Sequence, residues 1–148
     1  MSSKWKHGAV WKQGAANVGY LEFGPWGIRL LVLWGAPCDA LRHALDSLQV
    51  AERRDPEGFE ALSYFLEEEH GSSEANYIPL ASRPATHVIC FAGSDTRSPR
   101  FLGALAHECL HIIVAAFKYR GLHLSDGSEE AYAYTLSQMV SETLELLN

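Results

Sequence analysis

A chain of 148 residues with 47% hydrophobic and 20% charged side chains has the length and composition of one soluble globular domain, able to bury about two-thirds of its unfolded surface. Its formal charge of -6 excludes a nucleic-acid footprint, which needs a clustered excess of Lys and Arg to neutralise phosphates. The three cysteines, Cys38, Cys90 and Cys109, are odd in number, far apart and without a CxxC pair, so no disulfide framework is expected and a reducing cytosol is the simplest compartment.

The apolar run Ile28 to Trp34 contains Arg29 and falls far short of the roughly 20 residues that a membrane helix needs. Met1 to Gly14 is polar and punctuated by tryptophan, where a secretory signal would carry an apolar core. Neither export nor a membrane anchor is expected.

In chain order, Met1 to Asn17 mixes Ser, Lys, Gly and Gln with Trp5 and Trp11 and lacks clear periodicity. The expectation is a flexible N-terminal arm over residues 1–17, with tryptophans available to dock on the body or on a partner. Val18 to Phe23 and Ile28 to Trp34 are β-prone runs separated by Gly24-Pro25-Trp26-Gly27, which predicts a hairpin with Trp26 exposed at its tip. Leu41, Ala44, Leu45 and Leu48 form the i, i+3, i+4, i+7 stripe of an amphipathic helix. Asp55-Pro56 opens a second helix bearing Phe59, Leu62 and Leu66 and ending in Glu67-Glu68-Glu69.

His70 to Arg83, rich in Gly, Ser, Asn and Pro, reads as a loop with a short extended piece at Tyr77 to Leu80. Thr86 to Ala92 is β-branched, aromatic and apolar on both faces, as a strand covered on both sides would be. Gly93-Ser94-Asp95 ends it. Ser98-Pro99 is a helix start, the apolar run continues to Phe117, and Gly121 is the expected C-cap. Ser128 is placed to cap the last helix, whose seam is Ala133, Leu136, Val140, Leu144 and Leu147. The predicted order is β-β-α-α-β-α-α, one domain over residues 18–148, with the last two helices antiparallel.

The chemical signal is His107-Glu108-Cys109-Leu110-His111. Four residues apart on a helix, His107 and His111 share a face and can direct two imidazole nitrogens at one metal ion. Glu108 follows at about 100° round the turn, within reach of a metal-bound water. This is the HExxH arrangement of zinc hydrolases, with the histidines as ligands and the glutamate as general base. A catalytic zinc commonly takes three protein ligands, and His123, Asp126, Glu129 and Glu130 all follow a turn that folds the chain back. Glu129 and Glu130, at the start of the last helix, are the best placed. Cys109 points away from both histidines and reads as a small core residue. Tyr119, His123, Tyr132 and Tyr134 are candidate donors to an oxyanion. His7, His43, His70 and His87 carry no ligand spacing.

HECLH followed by Glu130-Ala131 resembles the gluzincin pattern, thermolysin among its members, in which a glutamate on the following helix completes the site. LAHECLH with SEEAYAYTLSQMV, over about residues 101–142, also resembles small HExxH proteins encoded in tailed-phage genomes. The resemblance implies a small zincin-like α+β domain with a short, mostly antiparallel sheet packed on helices. It further implies Zn2+ held by His107, His111 and Glu130, with Glu108 as base, acting on a protein or peptide substrate in the cytoplasm, the host's if the chain is phage-encoded. By helical periodicity Glu129 lies nearer than Glu130 to the predicted seam. Two departures stand out: Tyr134 occupies the position of the aspartate that orients the first histidine, and the chain lacks the lobe that walls the thermolysin cleft. They motivate a second expectation, a non-catalytic phage accessory or assembly protein that keeps the zincin scaffold as a binding module.

Overall fold

Largely apolar runs set the sheet, and an additional strand precedes those expected. The computed structural model describes residues 5–48, 76–78, 86–91 and 96–148. Over these the chain forms β1 (Ala9–Gln13), β2 (Ala16–Phe23), β3 (Ile28–Trp34), α1 (Cys38–Ser47), β4 (Asn76–Ile78), β5 (Thr86–Cys90), α2 (Pro99–Tyr119) and α3 (Glu129–Leu147). The helix expected from Asp55, the Gly93-Ser94-Asp95 turn and most of the loop from His70 to Arg83 lie outside the described residues. The class is α+β.

The strands form one five-stranded sheet in the order β1-β2-β3-β5-β4. β3 and β5 pair in parallel, and the other three pairings are antiparallel. The side-chain period of two splits the core. Val18, Tyr20, Leu31, Leu33, Val88 and Cys90 face α1, where they meet Leu41, Ala44 and Leu45. Leu21, Phe23, Leu30, Val32, Ile89 and Phe91 face α2 and α3. Helices cover both faces, so all five residues of β5 are buried, as its unbroken apolar sequence predicts.

Residues 9–17 depart from the expected flexible arm. Ala9–Gln13 is an edge strand paired with β2 from Ala9↔Tyr20 to Gln13↔Ala16, and a turn with Gly14 at φ 61° joins them. Trp5 stacks edge-on against Tyr20 at 5.2 Å and lies 6.2 Å from Trp11, so both tryptophans dock on the body. The strand carries little hydrophobic contrast: Trp11 and Gln13 are both partly buried, while Val10 is half exposed beside the exposed Lys12.

The hairpin between β2 and β3 forms as expected, through a cis Gly24–Pro25 bond and Gly27 at φ 69°. Trp26, expected exposed at its tip, is partly buried against Phe117 of α2, with ring centroids 4.8 Å apart.

Both ends of α2 match the sequence. The Ser98 hydroxyl accepts from the Phe101 amide at 3.0 Å and Pro99 begins the helix, satisfying one of its orphan donors. At the other end the Gly121 amide donates to the Lys118 carbonyl and the Leu122 amide to the Phe117 carbonyl, with Gly121 at φ 74°. This is a Schellman closure, which favours glycine because of its left-handed backbone. Among the described residues α2 alone has the length and composition of a membrane-crossing helix, at mean hydropathy 1.4. One side of it is buried among the residues packed on the sheet and α3.

α3 is rotated from its predicted seam. Its buried residues are Tyr132, Thr135, Met139 and Thr143, while Ala133 is exposed and Leu136, Val140, Leu144 and Leu147 are partly buried flankers. Buried polar and aromatic residues, with a small residue left outside, make the apolar count misleading here. Nor does Ser128 cap α3 through its side chain. Its buried hydroxyl donates to the His123 carbonyl and accepts from the Ser125 amide at 2.9 Å, tying the turn instead. Towards its C-terminus α3 lies close over β2: a Cβ on Gly19 would sit 2.2 Å from the Leu146 side chain.

Candidate functional site

α2 has a buried side and an open side. Phe101, Leu105, Cys109, Ile112 and Ala116 bury one stripe, and His107 and His111 stand on the other, both exposed. The four-residue spacing stacks the two imidazoles with ring centroids 4.7 Å apart and 75° between their planes. Their Nε2 atoms approach to 3.1 Å. At that separation one imidazole can hydrogen-bond the other, and the spacing is also close to the roughly 3.3 Å between ligand atoms of a tetrahedral zinc shell with bonds near 2.0–2.1 Å.

Glu108 lies between the two faces and is partly buried, as its position one residue after His107 dictates. Cys109 is fully buried. Burial, and secondarily the charge of Glu108, pushes its thiol up to about 12. The thiolate is the nucleophile and the metal ligand, so Cys109 serves packing, as its place in the helix predicts.

The rest of the expected site does not gather. Among the described residues no group of three His, Cys, Asp or Glu side chains could hold a metal ion. Glu130, implied as third ligand, is exposed, as are Glu129, His123 and Asp126. Helix length supplies the reason. α2 continues from His111 to Tyr119, a rise of about 12 Å at 1.5 Å per residue, before the chain turns. Tyr132 then packs edge-on against Phe117 at 4.7 Å and donates to the Leu122 carbonyl at 3.0 Å, which fixes the first turn of α3 beside the last turn of α2. Glu130 therefore sits about two turns beyond the histidine pair.

The candidate oxyanion donors fare similarly. The Tyr132 hydroxyl is committed to Leu122. Among the described residues Tyr119 and Tyr134 are the two most exposed aromatics, at 64% and 68%, so Tyr134 does not replace the second-shell acid from a packed position. His87 is buried in β5.

A contact without a sequence signal lies at His7, in the segment expected to be a flexible arm. Its Nδ1 accepts from the Glu22 amide at 2.9 Å, and its Nε2 lies 2.9 Å from a Glu142 carboxylate oxygen. These contacts tie the segment before β1 to α3 beside a cavity of about 280 Å³ lined by His7, Gly8, Leu21, Glu142, Glu145 and Leu146. Partners 135 residues apart leave no local signal.

Comparison of the chain with protein-family profiles, curated proteins and solved structures gives no match.

Proposed function

We propose that the protein is a zinc-dependent hydrolase of the HExxH type, acting on a protein or peptide, with His107 and His111 as ligands and Glu108 as general base. The observation that carries this reading is the 3.1 Å approach of two exposed imidazole nitrogens, with a carboxylate one residue away on the same helix. Zinc bound there would supply a Lewis acid and lower the pKa of its water towards neutrality. Glu108 would take the proton of the attacking water and return it to the leaving amine. The buried stripe of α2 keeps both histidines on rigid backbone, so little ordering is left to binding.

Glu108→Gln tests the mechanism. Turnover of a peptide library should fall by about 10²–10⁴-fold with zinc still bound on elemental analysis, and an unchanged rate would sink the assignment. The geometry around Glu130 gives a second outcome: Glu129→Ala and Glu130→Ala should each leave zinc affinity unchanged. A tenfold loss in Glu130→Ala would restore that residue to the ligand set.

The donor set left at two among the described residues favours one other reading, a non-catalytic binding module on a zincin-like scaffold. Partner binding that survives Glu108→Gln, in a protein without peptide cleavage, would support it.

A further inference from the structure

The face of α2 that carries the histidines also carries exposed apolar side chains. Leu110 and Val114 are 43% and 42% exposed. At 100° per residue, Leu110 and Val114 lie within about 100° of arc with His107 and His111. Two donors fill half of a tetrahedral shell, and no third stands beside them among the described residues.

We propose that two copies of this chain meet on this face and share one zinc ion between their His107–His111 pairs. A two-fold contact presents the same patch from both copies, so it doubles two donors to four. Four imidazoles close the shell, the composition of a structural rather than a catalytic site. Such a dimer is a silenced resting form: the position that water needs is filled, and separation of the copies frees it. The inference rests on metal binding by the pair, as the proposed hydrolase does, and adds its regulation.

The size of the patch sets the behaviour. Stable interfaces bury about 800 Å² per partner, far more than two half-exposed aliphatic side chains supply. Apolar contact alone is too small, so association depends on the ion. The flanking Leu110 and Val114 then favour a second copy over water once the ion is in place.

Sedimentation velocity of the full chain with zinc alone, paired with zinc analysis of each species, tests this. In EDTA the chain should sediment as a 16.4 kDa monomer. At half an equivalent of zinc it should dimerise with one zinc per two chains, and excess zinc should drive it back to monomer as each pair takes its own ion. His107→Ala should abolish the dimer, and Val114→Ser should weaken it while leaving zinc binding by the monomer intact. Both positions are exposed, so circular dichroism should report an unchanged fold. A monomer carrying one zinc per chain at every ratio would overturn the shared site and leave the hydrolase reading standing. Absence of zinc binding would overturn both.

Discussion

Along the inner face of α2, Phe101, Leu105, Cys109, Ile112 and Ala116 are buried among residues of the sheet and α3. Along the outer face His107, Leu110, His111 and Val114 stay exposed. The same 21-residue helix thus holds the fold with one side and offers chemistry with the other. The inner side draws stability from area removed from water. For the outer side, substitution should register in metal binding rather than in folding.

Substitutions can break or sharpen this division. The largest effect on folding should come from Phe101→Ala, which opens a cavity where Phe101 meets Phe91 at 5.1 Å. A loss of about 3–5 kcal/mol is expected in denaturant unfolding, with the zinc affinity of the folded fraction retained. Next comes alkaline pH. Cys109 is held neutral by burial, pushed from about 9 to about 12. Its raised pKa means that its stabilising contribution is complete below the unfolded value near 9 and is lost as pH rises towards 12. Unfolding midpoints in urea should therefore fall across that window, and less steeply in Cys109→Ala; a slope unaffected by the substitution would count against buried thiol character.

A smaller loss, about 1 kcal/mol, is expected from Ser98→Ala, which removes the oxygen that accepts from the Phe101 amide. The smallest effect on folding should be that of His107→Ala, within about 0.5 kcal/mol, although it removes half of the donor pair. A large loss of stability there would dissolve the contrast between the two faces.

Local signals were legible wherever the chain obeyed one period. β3 spans Ile28–Trp34, as its run of apolar residues predicts. Ser98, Pro99 and Gly121 mark the limits of α2 because capping chemistry is local. The stacking of His107 on His111 follows equally from 3.6 residues per turn. Legibility failed where burial depended on distant partners. β1 is half-exposed, so its alternation carried little hydrophobic contrast. Tyr132, Thr135 and Thr143 are inside α3 because of what α2 and the sheet present to them. Trp26 stands at the tip of its hairpin, yet Phe117 partly covers it.

The sequence by itself determined the histidine pair, because four positions on one helix fix their relation without reference to anything else. It also determined that Cys109 points away from the pair and into the core. Tertiary structure alone decided where Glu130 stands. A ligand from a second helix depends on how far the first helix runs before it turns and on which residues clamp the return, here Tyr119 as the last residue of α2 and Tyr132 against Phe117. Spacing in a chain counts residues, whereas coordination needs atoms within about 2 Å of one ion, and only the packed helices convert one into the other.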